Sequence, residues 1–186
     1  MTIIKVPEQH FPKAELGRRA MGLGIDFLVT WLISSVFGSG EYGVQFLQIF
    51  VFITVWLILR VILPYNNKGQ SLGRWAVDLK VLDLQDLEFG RGRIPSLLSL
   101  AKREAIIGLC LLLVSIAIAN IRRNPTAILL VIPLVIDCGA AFSDTQARLA
   151  LHDRFAGTMI VSSRRGYSLD LKIKRLVETM RQNMRR

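Results

Sequence analysis

The stretch GRRAMGLGID, Gly17 to Asp26, decides how the rest of the chain is read. Arg18 and Arg19 stand at the entrance of an apolar run, and a carboxylate lies inside it, seven residues beyond Arg19. Seven positions are nearly two helical turns, so Arg19 and Asp26 share one helix face about 10 Å apart, too far for a direct ion pair. Gly22, Thr30 and, slightly rotated, Ser34 fall on the same face. An ionised aspartate at the centre of a membrane span costs roughly 2.5–3.5 kcal/mol on insertion scales. Such a polar, small-residue stripe must therefore face protein or water and not lipid.

Working outward, the run from Ala20 to Phe37 is one of four, the others being Val44–Leu63, Ala105–Ile121 and Ala127–Phe142. The chain has 186 residues, 52% of them hydrophobic, yet a formal charge of +10. An apolar excess and a basic excess coexist easily when the former is gathered into spans and the latter into connections. A nucleic-acid binder would interleave its arginines with a soluble core, so nucleic acid is not expected as a partner. A helix needs about 20 residues to cross a bilayer. Asn124 followed by Pro125 reads as a helix cap with proline at the first helical position, which lengthens the fourth run. The expected fold is an all-α integral membrane protein with spans at about 19–38, 44–64, 104–121 and 125–144. Residues 1–15 form a cytoplasmic lead-in, 16–163 the membrane domain and 164–186 a basic tail. The acidic Glu8 and Glu15 ahead of the first run, and Asp26 within it, argue against a cleaved signal peptide.

Lysine and arginine fix the expected orientation. Four lie before the first run, none in Gly38–Gly43, eight between Arg60 and Arg103, two at Arg122 and Arg123, and ten from Arg148 onward. Both termini inside puts 22 of them on the cytoplasmic face and two outside, which is the arrangement the positive-inside rule selects. A multi-pass protein of a bacterial plasma membrane or a thylakoid-type membrane is expected.

Between the second and third runs, NNKGQSLG is rich in turn formers, and in WAVDLKVLD the apolar Val77, Leu79 and Val81 alternate with Asp78 and Lys80, the period of a strand with one apolar face. GTMIVSS, Gly157 to Ser163, is the matching strand-like piece, and a lone strand would leave its backbone unpaired; the two are expected to pair in a small cytoplasmic sheet. A helix is expected to begin at Pro95, with Leu97, Leu98, Leu100, Lys102 and Arg103 at the membrane interface before the chain turns inward. The tail shows Ile173, Leu176, Val177, Met180 and Met184 on one face among basic residues, an amphipathic helix suited to the anionic inner leaflet.

Two further charged residues complete the polar set inside the runs. Asp137 lies in the fourth run at the same depth as Asp26, with Pro133 four residues earlier bending the helix. Arg60, four residues before Pro64, is the cation expected to meet Asp26. Two readings follow: the carboxylates line a cytoplasm-facing cavity and bind a proton or small cation, or Asp26 and Arg60 form a structural pair. Cys110 and Cys138 read as small apolar side chains, no metal or cofactor site is expected, and the His152–Asp153 neighbourhood lacks a nucleophile and oxyanion donors, so no enzyme is expected.

The arginine at the start of the first span with an aspartate seven residues later, the G-x-S-x-G of Gly69-Gln70-Ser71-Leu72-Gly73 followed by LKVLD, and LHDRFAGT at Leu151 to Thr158 together resemble the RDD family of small multi-spanning proteins, over about Leu16 to Val161. The resemblance implies that Asp153 is the second aspartate of the family's name, that Asp137 lies outside its motif, and that cation/proton antiport is the suspected activity. At the inner face Asp153 is expected to pair with Arg19, His152 and Arg154 completing a latch between the first and last spans. The alternative function is a non-transporting scaffold or assembly factor, whose aspartates hold the bundle and whose tail recruits lipid or a partner; a homo-oligomer is plausible for either, since four spans enclose little space.

Overall fold

The computed structural model of the chain describes residues 11–38, 45–143 and 148–163; the expected amphipathic tail and the connection after the first helix fall outside them. The first run forms α1 (Leu16–Ser35), whose buried residues are Gly22, Asp26, Thr30 and Ser34, the stripe read from the sequence. The second run gives α2 (Phe46–Leu57), a π-helical turn over Ile58–Ile62 and the short α3 (Leu63–Asn66). The wide turn has a local cause: Pro64 has no N–H to donate to the carbonyl of Arg60 four residues earlier, and Leu63 N–H reaches back five residues to Ile58 O instead. After α4 (Leu72–Ala76), strand β1 (Leu79–Asp83) and α5 (Leu84–Glu88) comes α6 (Leu97–Asn120). The last run is a 3-10 helix over Pro125–Val131 continuing into α7 (Ile132–Ser143). Its start is capped as expected, Asn124 Oδ1 accepting from Thr126 N, and it becomes α-helical only at Ile132, next to Pro133. Two helical stretches, Phe46–Asn66 and Pro125–Ser143, are long and apolar enough to cross a membrane.

Two expectations need correction here. The segment from Pro95 does not lie along an interface and then turn: Ser96 caps a single continuous helix by accepting from Ser99 N at 3.1 Å. Leu97 and Leu98 are exposed, but Leu100 and Arg103 are fully buried, because one face of the first turns of α6 packs against β1 and the polar core. Nor does β1 have a single apolar face. It pairs antiparallel with β2 (Thr158–Ser162), as expected, in the register Val81↔Ile160, yet both sides are covered. Val81 packs with Val61 and Leu100 toward the helices, while Leu82, Met159 and Val161 pack with Leu87 and Leu149 on the other side. Residues 12–14 run along the free edge of β2, Ser162 N donating to Pro12 O at 3.0 Å, which satisfies backbone that a two-stranded ribbon would leave open.

Burial is inverted relative to a water-soluble fold. Asp26, Arg74, Arg103, Glu104 and Asp153 are 0–1% exposed, whereas Leu32, Phe50 and Val135 are 56%, 68% and 62% exposed. Such a distribution is costly in water and favourable where the outer surface meets hydrocarbon.

Candidate functional site

The polar core grows from Asp26. Its carboxylate accepts from Arg60 Nη1 at 2.7 Å, from Ser71 Oγ at 2.6 Å and from the Gly73 amide at 2.6 Å. Ser71 is also the N-cap of α4, and Gly73 lies in its first turn, so the aspartate anchors the inserted segment 67–78 to α1. The spacing of G-x-S-x-G now has a physical reason at each place. Gly69 has φ +83°, and a Cβ there would fall 2.3 Å from Val81 O. Ser71 supplies the hydroxyl. At Gly73 a Cβ would lie 2.0 Å from Gly22 O and 2.9 Å from Asp26 Cγ, so only glycine lets the segment approach α1 closely enough for its amide to reach the carboxylate.

Arg60, held over the face of Trp56 at 5.1 Å, carries the network onward: its Nε donates to Glu104 Oε2 at 2.9 Å. Glu104 Oε1 receives Arg74 Nη2 at 2.6 Å and Arg103 Nη1 at 3.4 Å. Arg103 Nε reaches Asp153 Oδ1 at 3.0 Å, and Asp153 Oδ2 takes Arg19 Nη2. Arg19 is also bound to the Arg148 carbonyl. A continuous ladder of arginine and carboxylate thus joins α1, the π-helical turn after α2, α4, α6 and α8 (Leu151–Ala156), a helix ended by Gly157 in the left-handed conformation at φ +62°.

A side branch ends at Asp137. Its Oδ1 accepts from His152 N at 2.9 Å and its Oδ2 lies 2.5 Å from His152 Nδ1. Arg103 Nη2 is 3.3 Å from His152 Nε2; an arginine only donates, so a hydrogen bond there makes Nε2 the acceptor and directs an Nδ1 proton at Asp137.

Burial opposes ionisation of Asp153, but Arg103 and Arg19 outweigh it and hold its carboxyl well below the usual carboxylate range. Arg74 shows the opposite imbalance. Burial, with the like charges of Arg60 and Arg103, pushes its guanidinium down to about 9 against the counter-effect of Glu104. Its Nε and Nη1 have no hydrogen-bond partner among the described residues.

The expected site residues are therefore gathered, but not as a paired-carboxylate site. Asp26 meets Arg60 and Asp153 meets Arg19, as expected. Asp26 and Asp137 do not line one cavity: each points into its own partners, the first toward Arg60, Ser71 and Gly73, the second toward His152. Of the latch residues, His152 ties α8 to α7 through Asp137, while Arg154 lies on the exposed side of α8. Glu104, Arg103, Arg74 and Ser71 are essential members that the sequence reading left out. Glu104 borders the Ala105–Ile121 run in the sequence, yet it is the eighth residue of α6 and meets Arg60. No group of His, Cys, Asp and Glu among the described residues is arranged to hold a metal ion.

These features define a class: a helical protein with two stretches long and apolar enough to cross a membrane, a two-stranded sheet, and a core of arginine–carboxylate pairs that binds the sheet-forming connections to the helices. The chain belongs to the RDD family, whose pattern it matches over residues 13–157, and it is a membrane protein. Arg19, Asp26 and Asp153, the residues that the resemblance ties to the family's name, are all in the ladder. No curated protein and no solved structure matches the chain.

Proposed function

We propose that the chain is a four-span membrane protein with both termini cytoplasmic, in which the buried carboxylates are fixed structural counterions, and that it acts as a non-transporting scaffold or assembly factor. α1 and α6 supply the two further spans; at 20 and 24 residues they have the length, and they turn Leu28 and Leu109 outward. The observation that carries the functional reading is that Asp26, Glu104 and Asp153 are each neutralised by arginine. An antiport site needs a carboxylate that alternates between a proton and a cation, and a permanently charged guanidinium at hydrogen-bond distance competes with both. Exposed apolar faces leave room for a second copy or another membrane protein alongside.

Cation/proton transport is the second reading, and one observation favours it: among the described residues no arginine is bonded to the carboxylate of the His152–Asp137 pair. Reconstituted vesicles decide between the two. With a pH gradient and sodium, potassium or lithium outside, the scaffold reading expects proton movement equal to that of protein-free vesicles. Cation-dependent proton movement that Asp137→Asn abolishes in a folded protein would replace it with transport.

A further inference from the structure

Between α1 and α7 lies a cavity of about 610 Å³, within the range of pockets that enclose a drug-sized molecule. α1 packs against α2 and α4, and α7 against α6 and α8, so the cavity separates two helices with different neighbours. Its walls are apolar: Leu23 and Phe27 on α1, Leu134 and Phe142 on α7, with Leu111 of α6 between them. Its polar lining is His152 and four arginines. The arginines are Arg19, Arg60, Arg74 and Arg103, and among the described residues no aspartate or glutamate lines it. All four are paired with carboxylates, Arg74 through Nη2 to Glu104, but Arg74, 1% exposed, keeps Nε and Nη1 without a partner among the described residues.

A buried guanidinium with two unpaired donors is costly, and an anion would remove that cost. A small hydrated anion would satisfy the arginines and leave most of the apolar volume empty. An anionic amphiphile satisfies both parts, and a bilayer is a reservoir of such molecules. We propose that this cavity holds one anionic phospholipid, its phosphate on Arg74 beside Arg19 and Arg103, and an acyl chain running between α1 and α7. Gly24 and Gly139 face the same space, and a Cβ at either would meet nothing within 4 Å. The cavity can therefore be filled by substitution without displacing protein atoms. The proposal rests on the membrane-spanning reading above and supplies the lipid that a scaffold of this kind would carry.

The test uses the full chain purified in a neutral detergent, with dimyristoyl phosphatidylglycerol, dimyristoyl phosphatidylcholine and inorganic phosphate as probes. Binding is read by native mass spectrometry and by the shift in melting temperature. Phosphatidylglycerol should be retained at one per chain, raise the melting temperature and bind at least about tenfold tighter than phosphatidylcholine, with inorganic phosphate giving no shift. Arg74→Gln and Gly139→Leu should each weaken phosphatidylglycerol binding by about tenfold or more. The lipid-free melting temperature of Gly139→Leu should not fall, so this variant carries the test if Arg74→Gln folds poorly. Equal binding of the two lipids overturns the proposal, as does parental phosphatidylglycerol binding by folded Gly139→Leu; inorganic phosphate matching phosphatidylglycerol would make the site one for a small anion. A chain that resists alkaline extraction from membranes yet shows no lipid preference loses this inference and keeps the four-span reading. A chain released by alkali loses both.

Discussion

Replacing Asp26 by asparagine removes one charge and keeps the shape of the side chain. The aspartate takes three donors, from Arg60, Ser71 and Gly73, at 2.6–2.7 Å. An asparagine offers a single acceptor oxygen. If that oxygen stays on the Gly73 amide, the new NH₂ group faces Arg60 and Ser71; Ser71 can rotate to accept, but Arg60 cannot. Breaking a buried pair from one side costs about 3–5 kcal/mol when the remaining charge is stranded. Here Arg60 keeps Glu104 at 2.9 Å, so the loss is nearer that of a charge-assisted hydrogen bond or two, about 2–4 kcal/mol. The assay is reversible unfolding in mixed micelles by titrated anionic detergent, followed by tryptophan fluorescence; Trp56, beneath Arg60, reports on this part of the core. In a cycle with Arg60→Gln, the double variant should be more stable than the sum of the single losses predicts, with a coupling of about 1–3 kcal/mol. Asp26→Asn at parental stability, or a coupling of zero, would show that the carboxylate does not hold the core and would refute the structural argument for it.

The remaining predictions test other joints of the same assembly. Gly73→Ala drives a Cβ to within 2.0 Å of the Gly22 carbonyl, so the segment must withdraw from Asp26; a loss of about 2 kcal/mol or more in the same micelle titration is expected. Asp153 has a folded-state pKa below its unfolded value, so its contribution is complete above about pH 4 and is lost as pH falls toward the folded value. Asp153→Asn should therefore lower the melting temperature at pH 7 and reduce its further fall on acidification, measured by thermal melts from pH 7 to 3. Cysteines introduced at Lys68 and at Arg122, in a background with Cys110 and Cys138 replaced, should label from opposite sides of the membrane with an impermeant maleimide; labelling from one side would remove the four-span topology.

The helices, the pairing of the strands and three of the ladder's residues were legible because each leaves a local mark. Apolar length marks a span, alternation marks a strand, and a charge inside an apolar run is an anomaly that demands a partner. Arg60 was found for Asp26 in this way. Glu104, Arg103 and Arg74 leave no such mark. Glu104 and Arg103 adjoin Lys102 in a run of three charged residues that reads as a solvated flank, yet only Lys102 is exposed, since three consecutive helical positions point about 100° apart. Arg74 lies one residue past the glycine motif and is drawn inward because Asp26 captures Ser71 and Gly73 on its own short helix. Its burial follows from a tertiary contact between α1 and a segment 47 residues away, which no local pattern encodes. The reading in which Asp26 and Asp137 line one cavity fails for a related reason. Equal depth on two spans says nothing about which neighbours lie between them, and α6, with Glu104 and Arg103, provides them.

The ladder also explains why both loop motifs coexist with the Arg19–Asp26 spacing. Arg19 is too far along α1 to neutralise Asp26, so each needs a partner brought from outside the helix. The G-x-S-x-G segment brings Ser71 and the Gly73 amide to Asp26, and the LHDR segment brings Asp153 to Arg19. Both segments then lead directly into the paired strands β1 and β2. The sheet fixes the relative position of the two motifs, and the motifs fix the sheet against the helices, so loss of any one carboxylate should loosen all of them together. A site built to bind and release a cation would gain from carboxylates free to change partners; here their partners are the contacts that hold the sheet in place. What the ladder leaves available is positive charge, at Arg74, facing an apolar cavity. That asymmetry favours a resident anion over an exchangeable cation.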